Sequence, residues 1–156
     1  MSWDAIGALG EIFGALAVVA TLVYLSSQIR QTNRIAKSSV NSELMQKYTD
    51  FLNDILTSQE VGELSTRLTD PGYVASSDLE RQQIKAFTNC LMNIWFSAES
   101  SFTEGQMEAS LYKIYCEDVS VRLKQWPAIR VYAVEMLESY PNIHDLKIFA
   151  PVFDDG

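Results

Sequence analysis

The sequence is poor in the residues from which catalytic and metal centres are built. In 156 residues it has one histidine, His144, and two cysteines, Cys90 and Cys116. A metal site or a catalytic triad needs several converging ligands, so a lone histidine in a tail reads as a surface or packing residue. Two cysteines 26 positions apart exclude a disulfide framework, and in apolar helical settings they read as small core residues. There is no GxGxxG, Walker loop, GxSxG, HExxH or CxxC. The Glu-x-x-His pairs of a di-iron bundle are also missing. No enzymatic activity and no cofactor are therefore expected. Basic residues are scarce, 12 against 20 acidic, for a net charge of -8. Phosphate binding over a broad surface needs clustered cations, so nucleic acid is not an expected partner. Prolines number four and glycines seven, and neither strand alternation nor a repeat is visible. The length suits one compact domain.

What the sequence does have is an apolar run. Residues 5–25 contain a single charge, Glu11, and sixteen of the 21 are Ala, Val, Ile, Leu, Phe or Tyr. A helix of this length extends about 31 Å, the thickness of a bilayer core. Trp3 and Tyr24 mark its two ends, where aromatic rings favour the headgroup level. A cleaved signal peptide would begin with a basic segment, and here Met1-Ser2-Trp3-Asp4 carries no Lys or Arg. The run is expected to be a retained transmembrane helix. Arg30, Arg34 and Lys37 follow it with no acid before Glu43, so the positive-inside rule puts the C-terminal side in the cytoplasm. The free cysteines suit that reducing compartment.

The apolar run has two faces. Gly7, Gly10, Gly14, Ala17 and Thr21 recur at steps of 3, 4, 3 and 4, and Leu9, Ile12, Leu16, Val19 and Val23 do the same on the opposite side. Small residues let helix backbones approach closely in lipid, so the first stripe is a helix-packing candidate. A 3.5-residue period favours a left-handed crossing, whereas the GxxxG of Gly10 and Gly14 favours a right-handed one. Glu11 flanks the small stripe. It admits three roles: a protonated or snorkelling side chain, a hydrogen bond between helices, or a carboxylate ring facing a pore.

Helix period continues beyond the run. Ile29, Ala36, Val40, Leu44, Tyr48, Phe51 and Ile55 fall at helical steps, with no Pro or Gly between Gly14 and Gly62. The stretch 26–42 is polar and reads as a stalk; core packing starts near Leu44. A short helix over 59–68 should end at Asp70-Pro71-Gly72. Ser77-Asp78-Leu79-Glu80 fits a capping box with Glu80 reaching back to the cap, opening a helix to about Phe102. Its apolar face comprises Leu79, Ile84, Phe87, Leu91, Ile94, Trp95 and Ala98, with residues 90–96 at the core. After Gly105, a helix from Met107 presents Leu111, Ile114, Tyr115, Val119 and Leu123. Pro127 interrupts it, and Ile129, Val131, Tyr132, Val134, Met136 and Leu137 form a last helix. Leu146, Ile148, Phe149, Val152 and Phe153 in the tail need a surface, either the chain's own bundle or another protein. Glu99, Glu104, Glu108, Glu117 and Asp118 could gather around a divalent cation, although acids scattered through an acidic chain more often form a solvated face.

The anchor and its exit carry a resemblance. Trp3-Asp4-Ala5-Ile6-Gly7-Ala8-Leu9-Gly10-Glu11-Ile12-Phe13-Gly14-Ala15, then Tyr24-Leu25 and Gln28-Ile29-Arg30-Gln31, resembles an uncharacterised group of short bacterial proteins. That group opens with a W-x-A-I-G-A-x-G-E-x-x-G-A anchor and a Y-L-x-x-Q-I-R-Q exit. The likeness is specific over residues 3–34 and looser over 96–127, where Phe96, Glu99 and Phe102 precede a Gly and a later Trp. It implies a bacterial, single-pass, membrane-bound helical protein. It also implies that Gly7, Gly10, Glu11, Gly14 and Gln28-Ile29-Arg30 form one recurring unit. It supplies no activity and no catalytic residue.

The expected architecture is all-α: a single N-terminal transmembrane helix continuing into a cytoplasmic helical bundle of about four helices. The expected boundaries are an external tail at 1–4, the span at 5–27, a polar stalk at 28–43, the bundle at 44–142 and a docking tail at 143–156. The expected role is a membrane-anchored, self-associating scaffold or interaction module in the bacterial inner membrane. Its expected partners are lipids and either copies of itself or a foreign transmembrane helix. A homo-oligomeric pore with Glu11 near the outer mouth, and an accessory subunit of a larger membrane complex, are the rival expectations.

Overall fold

The computed structural model describes residues 3–153, without the side chains of positions 4–6, 8, 9 and 144. Met1, Ser2 and residues 154–156 of the two expected tails, and the side chains of Leu9 and His144, thus lie outside the described residues. Six α-helices and no strand occur among the described residues: α1 (Trp3–Thr57), α2 (Gln59–Arg67), α3 (Asp78–Thr103), α4 (Ala109–Gln125), α5 (Ile129–Leu137) and α6 (Ala150–Phe153). Two 3₁₀ turns, Ile143–Asp145 and Lys147–Phe149, precede α6. The chain divides into two compact units, Met1–Ser39 and Val40–Gly156.

Local chemistry explains the boundaries. α1 contains no proline and stops at Ser58, whose hydroxyl accepts from the Val61 N–H at 3.4 Å and so caps α2. An Asx turn follows α2: Asp70 Oδ1 accepts from the Gly72 N–H at 2.9 Å. Ser77 caps α3, accepting from the Glu80 N–H at 3.2 Å. The other half of the expected capping box is corrected. Glu80 Oε2 accepts from the Ser76 N–H at 2.7 Å and the Ser76 hydroxyl at 2.6 Å, one residue before the cap. At the far end of α3, Gly105 takes φ +72°. The Gln106 N–H reaches the Ser101 carbonyl at 2.8 Å and the Gly105 N–H reaches Phe102, which together make a Schellman closure.

The Val40–Gly156 unit has one core. α3 runs through its centre, with Ile84, Leu91, Trp95 and Ala98 fully buried. Leu44 and Phe51 of α1, Val119 and Leu123 of α4, and Ile129, Ala133 and Leu137 of α5 close around it. The C-terminal segment also packs here: Ile143, Ile148, Phe149 and Val152 are buried in the same cluster, against α4 and α5. Phe51, Phe87 and Trp126 form an edge-to-face triangle with centroids 5.1, 5.1 and 6.1 Å apart, tying α1, α3 and the end of α4 together.

Four apolar positions depart from expectation. Leu79, Ile114 and Val131 are exposed, and so is Cys90. Each lies about 100° or more from the buried row of its own helix, counted at 3.6 residues per turn. On α4, for example, the row is Tyr112, Tyr115, Val119 and Leu123, and Ile114 falls beside it. The helix following Gly105 also starts later than expected, with Glu108 as its cap and Met107 buried in the preceding turn.

Candidate membrane-spanning and association surface

Among the described residues one helix is long and apolar enough to cross a membrane. Within Gly10–Thr57 an 18-residue window has mean hydropathy 1.9, and none of that window is buried. Ile12, Phe13, Leu16, Val18, Val19, Leu22 and Val23 each keep more than half of their surface exposed. A buried core helix hides such side chains, and here they are exposed while Leu44 and Phe51 at the far end of α1 are buried. Trp3 and Tyr24, the expected interfacial rings, are also exposed.

The small-residue stripe lies on α1 as the sequence spacing requires. Gly7, Gly10, Gly14, Ala17 and Thr21 are all exposed. The Thr21 hydroxyl donates to the Ala17 carbonyl at 2.8 Å, so two members of the stripe are linked within their own helix. This bond satisfies the hydroxyl within its own helix. A Cβ added at Gly7, Gly10 or Gly14 would meet nothing within 4 Å. Gly62 differs: a Cβ there would come 3.0 Å from the Ile55 carbonyl oxygen, so close packing inside the chain requires that glycine. Glu11 is exposed beside the stripe. Further along α1, Arg30 and Arg34 share a shallow recess with Ser27 and Gln31, and Lys37 is exposed one turn on.

Four of the five acidic residues suspected of holding a cation have local partners, and Glu108 stands at the cap position of α4 without a side-chain cap bond. Glu99 is buried and accepts from the Tyr112 hydroxyl. Glu104 accepts from Ser100 at 3.0 Å and from Gln106 at 2.9 Å. Glu117 faces Lys113 at 3.7 Å. Among the described residues no group of three or more His, Cys, Asp or Glu is placed to hold a metal ion. Neither thiol is activated. Partial desolvation raises the thiol pKa of the surface residue Cys90, with the Asp54 charge adding to it, and burial raises that of Cys116.

Two polar clusters escaped sequence reasoning. Asp118 accepts from Tyr48 at 3.0 Å, from the Trp95 indole at 3.1 Å and from Arg122 Nε at 3.1 Å. The Arg122 guanidinium also lies over the Tyr48 and Trp126 rings. Burial, then the Asp118 charge, pushes the Tyr48 phenol well above its usual range. In the second cluster, Glu80 receives hydrogen bonds from Arg67 and Tyr73 on one oxygen and from Ser76 on the other. Donation by the Ser76 hydroxyl, then by Tyr73, then by the Ser76 N–H, holds its carboxyl down at about 2. The Asp118 cluster joins segments remote in sequence, so no local pattern announces it, whereas the Glu80 cluster is confined to residues 67–80. The Phe96-Glu99-Phe102 pattern was the one visible trace of such long-range ties. Phe102 stacks on Tyr112 at 4.0 Å, Glu99 accepts from the same Tyr112, and Phe96 packs on Phe149 at 4.5 Å. Comparison with family models, with curated proteins and with solved structures gave no match.

Proposed function

We propose that the protein is a membrane-anchored, self-associating helical scaffold or interaction module without enzymatic activity. In this reading the N-terminal part of α1 spans the bacterial inner membrane with its N-terminus outside. The Val40–Gly156 unit is then displayed in the cytoplasm. The carrying observation is that the most apolar stretch of the chain is wholly exposed. In water that exposure would be unfavourable by about 25 cal/mol per Å² of apolar surface, and a bilayer removes the penalty. The basic flank of Arg30, Arg34 and Lys37 supports the orientation.

Self-association rests on the glycines. Each glycine inside a helix costs about 0.8–1 kcal/mol relative to alanine. Gly7, Gly10 and Gly14 return nothing for that cost through close packing among the described residues. A second helix laid against the bare stripe would use them. The test is the native mass of the protein extracted in mild detergent. A multiple of the 17.6 kDa chain that falls to the single chain in Gly10→Leu/Gly14→Leu supports the proposal. A monomer overturns self-association, and a stoichiometric foreign chain replaces it with the accessory-subunit role.

A further inference from the structure

We propose that Arg30 and Arg34, with Ser27 and Gln31, form a binding site for the phosphodiester headgroup of an anionic phospholipid. The inference rests on the membrane reading above and adds a ligand to it. The four residues occupy positions i, i+3, i+4 and i+7 of α1 and line one recess. At 3.6 residues per turn they fall within about 100° of the helix surface.

Three features select the ligand. First, the two guanidiniums are like charges one turn apart on an exposed face, which repel unless an anion sits between them. Neither has an ion pair among the described residues, and the sequence has no carboxylate between Glu11 and Glu43 to supply one. Second, the cations continue the bulky face of the helix. Counted at about 100° per residue, the mean direction of Arg30, Arg34 and Lys37 lies within about 20° of that of Ile12, Leu16, Val19 and Val23. It lies about 170° from the small-residue stripe by the same count. The face turned to acyl chains therefore carries the cations, and the face available to another helix does not. Third, the depth is right. Arg30 and Arg34 lie about 8 and 14 Å along the helix from Leu25, and helical side chains lean toward the N-terminus, here back toward the apolar run. That brings the guanidiniums into the headgroup layer.

Guanidinium forks grip phosphate oxygens in pairs, and the Ser27 hydroxyl and Gln31 amide add neutral donors. The recess has no acidic residue to receive a headgroup ammonium. An anionic headgroup such as phosphatidylglycerol is therefore preferred over phosphatidylcholine, whose own cation competes for the phosphate.

The experiment is native mass spectrometry of the full chain from mild-detergent micelles doped equally with phosphatidylglycerol and phosphatidylcholine. Parallel samples contain inorganic phosphate, and each variant is checked for resistance to alkaline carbonate extraction from membranes. Preferential retention of phosphatidylglycerol is expected, falling about fivefold for each arginine neutralised in Arg30→Gln and Arg34→Gln. Arg30→Lys/Arg34→Lys, which preserves the charge that sets orientation, should lose part of the preference because an ammonium cannot bind bidentately. Equal retention of the two lipids, or an unchanged preference in the double glutamine variant, overturns the site. Displacement of the lipid by equimolar inorganic phosphate overturns its assignment to lipid. Release of the wild-type chain by carbonate overturns the membrane reading itself, which is a distinguishable failure.

Discussion

Replacing Asp118 by alanine removes the one acceptor shared by three donors from three stretches of chain. Trp95 is fully buried, and its indole N–H has Asp118 as its acceptor at 3.1 Å. Leaving a buried donor unpaired costs about 1–3 kcal/mol. Tyr48 is half-buried and loses a 3.0 Å bond, worth about 0.5–1.5 kcal/mol net. Arg122 retains a 2.6 Å bond to Gln125 and its position over the Tyr48 and Trp126 rings, so its loss is small. The expected destabilisation is about 3 kcal/mol in total. With an unfolding entropy of about 2.1 cal/mol/K per residue over the Val40–Gly156 unit, that lowers Tm by about 12 °C. Asp118→Asn keeps one carbonyl oxygen for Trp95 and should fall by about a third as much. The assay is thermal unfolding of the full chain in detergent, followed by tryptophan fluorescence, to which buried Trp95 and Trp126 contribute. A Tm for Asp118→Ala within a degree of the parent would refute the claim that this network joins α1, α3 and α4.

Three further outcomes follow from the same structure. The Glu80 carboxyl is depressed to about 2 from an ordinary value of 4.5, so its stabilising contribution is complete above pH 4.5 and disappears as pH falls toward 2. Glu80→Gln should therefore be less stable at neutral pH and should show a shallower loss of Tm on acidification between those values. Gly105→Ala forces a Cβ into φ +72° at the end of α3 and should cost about 1–2 kcal/mol, read as a lower urea midpoint. Glu11→Ala should change the oligomer distribution in mild detergent; an unchanged distribution together with unchanged ion flux would confine Glu11 to snorkelling or protonation.

The parts of the fold visible in the sequence are those set by neighbours within a few positions. The Ser77 cap, the Asp70-Pro71-Gly72 turn and the Gly105 stop are short-range chemistry, and each lies at or beside a helix boundary. The continuity of α1 followed from the lack of any Pro or Gly between Gly14 and Gly62. Exposure of Leu79, Ile114 and Val131 was not visible, because apolar residues on neighbouring faces blur the periodicity and only the packed partners decide which face is buried. Glu80 was misread for a related reason. Arg67 and Tyr73 come from α2 and the following turn and reach it only after folding, although Ser76, which takes its other oxygen, is four positions away. At the candidate site, spacing alone gave the small and bulky faces of α1. The small face has no contact among the described residues, so no periodicity within the chain names a partner for it.

The most direct test of the membrane assignment is alkaline carbonate extraction of native membranes, comparing the full chain with Leu16→Arg/Val19→Arg. Each arginine near the bilayer centre costs about 2.5–3.5 kcal/mol on insertion scales, enough to cancel much of the apolar run. The account predicts that the parent stays in the washed membrane pellet while the double variant leaves it. Recovery of the folded parent chain in the carbonate supernatant would contradict it.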